Sequence, residues 1–242
     1  MLRAVGFDLD GTLFDDRQYV AAGLASAAEA LAEAEPVSEV HSEEDRAPIE
    51  FGDPEEGITD PETLEADLRE AYFGRGVTER TFDHVLAERD LPTALVPRLV
   101  EAYHDTDTPL YPYPDARETL ATLGDEYRLG LLTGGTNGRD KLDRLGLTDY
   151  FDAVLVAPEL DLTKREADPF ERLLDLLDAD PSEAAFVGDR PEIDFAHPND
   201  FGMTTIRVER GPHADAEPTD RTTPDETVGR LADLPALLAD LD

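Results

Sequence analysis

The sequence has no cysteine and no tryptophan, and only two of its 242 residues are lysine, Lys141 and Lys164. Without cysteine there is no disulfide, no thiolate-held zinc and no thiol nucleophile. No apolar run approaches the roughly 18 residues that mark a membrane-spanning helix, and Arg3 and Asp8 interrupt the stretch a signal peptide would need. The chain is therefore expected to be soluble and cytoplasmic, with no membrane partner. Basic charge is scarce as well: 21 Lys and Arg stand against 57 Asp and Glu, a net charge of -36. Nucleic acid is not an expected partner, because phosphate backbones bind to a basic face. Such a surface repels itself in dilute buffer, whereas near 1 M salt the screening length falls to about 3 Å. The composition reads as adaptation to a salt-rich cytoplasm of the kind halophilic archaea maintain.

What is present is organised around Ala4-Val5-Gly6-Phe7-Asp8-Leu9-Asp10-Gly11-Thr12-Leu13. An apolar run with no polar side chain until it meets two aspartates and a glycine reads as a strand buried on both faces, ending in a site. Side chains alternate along a strand, so Asp8 and Asp10 project to the same side, roughly 6 to 7 Å apart along the backbone. Holding two like charges there is costly unless a cation lies between them or one carboxyl keeps its proton, so the pair implies a metal or acid/base chemistry. Gly11 lets the chain turn away, and Thr12 can hydrogen-bond in that turn.

The rest of the chain falls into two parts. Helical spacing predicts helices over Tyr19 to Ala34, Thr63 to Tyr72, Thr78 to Arg89 and Thr93 to His104. Between the first two lies the acidic, proline-broken stretch Glu35 to Glu62, read as a loop, in which His41 is given no catalytic role. Leu110 to Asp115 reads as an extended connector, because Pro112 and Pro114 hold their predecessors out of the helical region. Helices over Pro114 to Leu123, Gly138 to Leu145, Pro169 to Leu177 and Glu192 to Phe201 then alternate with strands over Tyr127 to Leu132, Ala153 to Val156, Ala184 to Val187 and Thr204 to Val208. A loop over Gly211 to Glu226 and a closing helix over Val228 to Leu241 follow. This alternation predicts an α/β fold with a doubly wound parallel sheet.

In open parallel sheets ligands gather at the carboxyl ends of strands. Besides Asp8 and Asp10, two further strand ends carry chemistry. Thr133-Gly134-Gly135 offers a hydroxyl and glycine amides before a helix start, which suits phosphoryl oxygens, although Thr133 alone also fits a turn or cap. Gly188-Asp189-Arg190-Pro191-Glu192-Ile193-Asp194 offers two more carboxylates.

Asp-Leu-Asp-Gly-Thr-Leu after an apolar strand, Thr133 at a second strand end and Gly-Asp-x4-Asp at another resemble, in this order, motifs of the haloacid dehalogenase-like (HAD) hydrolase superfamily. The resemblance implies a HAD-like core over residues 1–14 and 109–242, with 15–108 as an inserted helical cap of the C1 type that shapes substrate access. It implies Mg²⁺, held by Asp8, the backbone carbonyl of Asp10 and Asp189, with Asp194 on a bound water or the ion itself; hard oxygen donors suit that ion. It also implies an activity: Mg-dependent hydrolysis of a small phosphomonoester, with Asp8 as nucleophile, Asp10 as acid and base, and Thr133 and Gly134 on the phosphoryl group. The superfamily's dehalogenases lack an aspartate two residues after the nucleophile, so dehalogenation is disfavoured. A phosphomutase, or a non-catalytic phosphate-binding protein, stays open as an alternative, as does monomer against homodimer. The family's third motif, Lys-Pro-Asp-Pro, is altered: in Lys164-Arg165-Glu166-Ala167-Asp168-Pro169 its lysine position holds Glu166. Lysine has a compact charge on a flexible stem, so Lys164 rather than Arg165 is expected to supply the missing cation. Lys141 is read as packing in the helix after the second motif.

Overall fold

The computed structural model describes residues 1–32, 60–77 and 80–241. His41, most of the acidic stretch over 35–62, and Thr78 lie outside them. The described residues form two compact units, Met1–Arg17 with Pro109–Asp242, and Gln18–Thr108.

Strand β1 (Ala4–Phe7) is buried along its whole length, as its four apolar residues allow. Behind it a tight turn is closed by Gly11 N donating to Phe14 O (3.0 Å) and Leu13 N donating to Leu9 O (2.9 Å). The helical unit follows: α1 (Arg17–Ala32), α2 (Pro61–Arg69), α3 (Thr81–Glu88) and α4 (Val96–His104). Helix α2 begins two residues before the sequence predicts, because the Asp60 carboxylate caps it at Thr63 N (3.2 Å) and Pro61 suits a first position that needs no donor. It passes at Glu70–Gly74 into a wider π-type turn, and Thr93–Leu95 is a 3₁₀ turn ahead of α4. Val20, Leu24, Leu31, Leu64, Leu68, Leu86 and Leu99 form this unit's core.

In the other unit the connector is pinned to the turn after β1: Tyr113 N donates to Leu13 O (2.9 Å), and Phe14 bridges to Pro112. Then come α5 (Ala116–Gly124), β2 (Arg128–Thr133), α6 (Gly138–Arg144), β3 (Ala153–Val156), α7 (Asp168–Leu177), β4 (Ala184–Gly188), α8 (Pro191–Asp194), α9 (Ala196–Phe201), β5 (Thr204–Val208), β6 (Glu226–Val228) and α10 (Leu234–Leu241). The six strands lie in the order β3-β2-β1-β4-β5-β6, all parallel, with Val5 of β1 opposite Leu129 of β2 and Ala185 of β4. Gly6 and Gly130 are register partners, and a Cβ on either would stand within 2.9 Å of the Leu173 side chain, so α7 packs directly onto the middle of the sheet.

Two readings of the sequence are corrected. Glu226–Val228 is a sixth strand, where the sequence predicts a loop running into a helix, and α10 starts only at Leu234. Asp225 sets the strand up, its carboxylate accepting from Thr205 N at 2.9 Å. The single helix expected over Glu192 to Phe201 is two short ones that meet at Phe195; Pro198 has no N–H to give to the preceding turn, so the helix restarts just before it.

The chain winds outward from β1 in both directions, first to β2 and β3 and then to β4, β5 and β6. The carboxyl end of β1 is therefore the switch point at which a crevice opens in such sheets.

Candidate active site

Asp8 is the first residue past β1, its N–H donating to Val187 O of β4 at 2.9 Å, so the strand pairing itself places its carboxyl over the end of the sheet. Gly11 holds a φ of +86°, and a Cβ there would run into the Asp189 carboxylate. Only glycine lets the turn after β1 come this close to the end of β4.

Asp189, the residue after β4, accepts a hydrogen bond from Thr12 Oγ1 at 3.3 Å through Oδ1, while its Oδ2 is buried with no hydrogen-bond partner among the described residues. Asp194 ends α8 and accepts from Arg190 N at 2.9 Å. Ligand oxygens of Asp8, Asp189 and Asp194 lie within 4.8 Å of one another. Lys164 enters from the loop before α7, and its Nζ donates to Asp8 Oδ1 (2.6 Å) and Asp194 Oδ1 (2.5 Å) while standing 5.1 Å from the centre of the Phe186 ring.

One ammonium against three buried carboxylates leaves a deficit of positive charge, and the protonation equilibria show it. Burial pushes the Asp8 carboxyl up to about 7, helped by Asp194 and Asp10 and opposed by Lys164. Burial, with Asp8 and Asp194 alongside, pushes Asp189 up to about 9. Burial works against the charge on Lys164, but Asp194 and Asp8 outweigh it and hold the ammonium above the ordinary lysine range. The orphaned Asp189 oxygen and an all-oxygen donor set fit a hard divalent cation, for which Asp8, Asp189 and Asp194 would provide the carboxylates.

Asp10 stands apart from this triad. Its Oδ1 accepts from Lys141 Nζ at 2.6 Å, and its Oδ2 accepts from Thr133 Oγ1 at 3.3 Å, a hydroxyl that in turn accepts from Gly135 N at 3.1 Å. Gly134 lies against the Lys164 stem, with a Cβ built there 3.4 Å from the Lys164 Cδ.

The altered third motif has a geometric explanation. Glu166 turns back on its own loop, its carboxylate accepting from Thr163 N (2.7 Å) and Thr163 Oγ1 (3.1 Å). Arg165 is exposed, whereas Lys164 is 3% exposed. Lys141 corrects the sequence reading: it does not simply pack in its helix but reaches Asp10. Asp16 is a second group the motifs do not show; burial, then Asp10, push its carboxyl up to about 6, and its Oδ1 has no hydrogen-bond partner among the described residues. On the side of β5, Arg210 donates to Thr12 O at 2.6 Å and to Asp115 Oδ1 at 3.0 Å with its guanidinium 3.7 Å over the Tyr113 ring, which ties the site's turn to the far half of the sheet.

Residues 2–196 match the family model described as haloacid dehalogenase-like hydrolase, and residues 162–234 match one described as HAD-hydrolase-like. The chain is 32% identical over 242 residues to a glyceraldehyde 3-phosphate phosphatase of Methanopyrus kandleri, covering 97% of this chain and 96% of that protein. Among solved structures it resembles a 2-haloacid dehalogenase from Pseudomonas syringae, with TM-score 0.66, 27% identity and all of both chains covered. It likewise resembles a HAD phosphatase from Thermococcus onnurineus, with TM-score 0.63, 25% identity and 98% of each chain covered. The order of the motifs, the doubly wound sheet and the matching family model agree, and the chain belongs to the haloacid dehalogenase-like hydrolase family.

Proposed function

We propose that this protein is a Mg²⁺-dependent phosphatase that hydrolyses a small phosphomonoester through an aspartyl-phosphate intermediate, in a salt-rich cytoplasm. One observation carries the reading: three buried carboxylates converge at the end of β1 with a single lysine among them, and a fourth, Asp10, is held separately by Lys141 and Thr133. The first set suits phosphoryl transfer onto Asp8, and the second suits proton transfer.

In this reading an Asp8 carboxylate oxygen attacks phosphorus and the bond to the leaving oxygen breaks, so that one hard displacement becomes two easier ones. Asp10 gives its proton to the leaving alkoxide, then takes one from the water that attacks the acyl phosphate, releasing phosphate and restoring Asp8. Lys164 balances charge on the equatorial phosphoryl oxygens and keeps Asp8 aimed. Thr133 and Gly134 border the place those oxygens would take. Bound at Asp8, Asp189 and Asp194, Mg²⁺ would supply electrostatic stabilisation of the transferring group. The presence of Asp10 favours an ester oxygen over a halide as leaving group, because a departing alkoxide takes up a proton and a departing halide needs none. The name of the Methanopyrus relative directs the substrate search to triose phosphates and similar small esters.

The reading is tested by phosphate release from 4-nitrophenyl phosphate and a panel of small sugar and triose phosphates in molar KCl, with and without Mg²⁺. Mg²⁺-dependent release that Asp8→Asn abolishes is the expected result; no release from any ester would overturn it.

A further inference from the structure

The chain keeps two lysines, and both are buried in this one site, Lys141 at 6% exposure and Lys164 at 3%. Among the described residues every ion pair away from the site uses arginine or histidine. Arginine pairs as a planar fork, at the surface and also inside, as at Arg207 and Arg210, whereas a compact ammonium on a flexible stem delivers one directed bond in a narrow space. A lysine retained and buried against such a background marks a position where that single bond matters.

Lys141 makes its bond to Asp10 Oδ1 at 2.6 Å from one turn inside α6. The other Asp10 oxygen is held by Thr133 Oγ1, and the space around both is closed by Gly135, where a Cβ would stand 2.7 Å from Asp10 Oδ2 and 3.3 Å from Lys141 Nζ. The Asp10 carboxyl is thus gripped at both oxygens by consecutive elements, Thr133 at the end of β2 and Lys141 within α6. Lys164 takes no part in this grip; its bonds go to Asp8 and Asp194.

We propose that Lys141 is a positioning residue, which fixes the rotamer of Asp10 through Oδ1 so that its carboxyl meets the leaving oxygen and, later, the attacking water. The site then has two lysines with divided work, Lys164 for the nucleophile and Lys141 for the proton-transfer group. This rests on the reading of Asp10 as acid and base. A correctly placed proton-transfer group is worth about 10² to 10⁴ in rate, and loss of its orienting partner forfeits part of that.

The test is a double-mutant cycle of Lys141→Met and Asp10→Asn, read as kcat/KM for phenyl phosphate and for 4-nitrophenyl phosphate in molar KCl with Mg²⁺. The two esters are nearly the same size, but 4-nitrophenolate leaves readily without a proton and phenolate does not. We expect Lys141→Met to lower kcat/KM for phenyl phosphate by about tenfold or more, with a clearly smaller loss on 4-nitrophenyl phosphate, and to change it by less than about twofold when Asp10 is already Asn. Circular dichroism melts of the variants check that they fold. An equal loss on both esters, or an undiminished loss in the Asp10→Asn background, would overturn this inference while leaving the phosphatase reading intact. A wild type inactive on both esters and on the sugar and triose phosphates would overturn the two together.

Discussion

Lys164 Nζ lies 2.6 Å from Asp8 Oδ1, joining residues 156 positions apart in the sequence, while Glu166, at the family's usual lysine position, folds back on Thr163. In the proposed reading Lys164, two residues upstream, supplies the cation of the third motif. Lys164→Ala is expected to lower kcat by about 10²-fold, the scale of losing one preorganised electrostatic stabiliser, and Arg165→Ala by less than about tenfold. Steady-state rates on one ester under saturating Mg²⁺ decide this. The opposite ranking would transfer the role to Arg165.

Asp8 and Asp189 in the metal-free protein carry carboxyls raised to about 7 and about 9, against the ordinary 3.8. A group whose folded pKa lies above its unfolded value contributes stability through its bound proton, and that contribution disappears as pH rises from the unfolded towards the folded value. The metal-free protein should therefore lose thermal stability between about pH 4 and about pH 9, other conditions fixed. Divalent cation binding has to displace those protons, so added Mg²⁺ should raise the melting temperature more at pH 8.5 than at pH 5.5. Melting curves in molar KCl with EDTA or Mg²⁺ measure both effects, and an equal Mg²⁺ shift at the two values contradicts this account.

Asp189→Asn removes a buried carboxyl whose Oδ2 has no hydrogen-bond partner among the described residues. The metal-free variant is expected to melt higher than wild type at pH 8.5, because asparagine escapes the cost of keeping protonated in the fold a carboxyl that is ionised in the unfolded chain at that pH, while Mg²⁺ stabilisation and turnover are largely lost. Calorimetry with and without Mg²⁺ shows whether stability and function separate in this way.

The main elements of this fold were legible because the features that specify them are local. An apolar run ending in Asp8, a hydroxyl at Thr133 and a Gly-Asp pair at 188 and 189 all mark strand ends, and one parallel sheet brings strand ends together. Lys164 stood out because lysine is rare and because it lies two residues from the altered motif's lysine position. Lys141 did not, since it lies in a helix among Arg139, Asp140, Asp143 and Arg144, where a charged residue reads as part of a solvated face, and its partner Asp10 is 131 positions away. Strand β6 is not legible in the sequence because three residues carry no periodicity, and its place is set by Asp225 bonding to Thr205 across 20 positions.

The charge of -36 predicts a strong response to salt. Raising KCl from about 0.05 M to about 2 M shortens the screening length severalfold and should raise the melting temperature reversibly, because repulsion among the acidic groups is what it weakens. Identical circular dichroism melts at the two concentrations would contradict the halophilic reading.

Chemical trapping tests most directly whether Asp8 becomes phosphorylated during turnover. The protein is mixed with 4-nitrophenyl phosphate and Mg²⁺ in molar KCl, quenched in acid, reduced with borohydride and cleaved after arginine, so that Asp8 falls within the peptide from Ala4 to Arg17. Borohydride converts an acyl phosphate to an alcohol, and fragmentation of the peptide should place homoserine at position 8, only when both ester and Mg²⁺ were present. Turnover with no modification at position 8, or with the modification at another aspartate, would contradict the account.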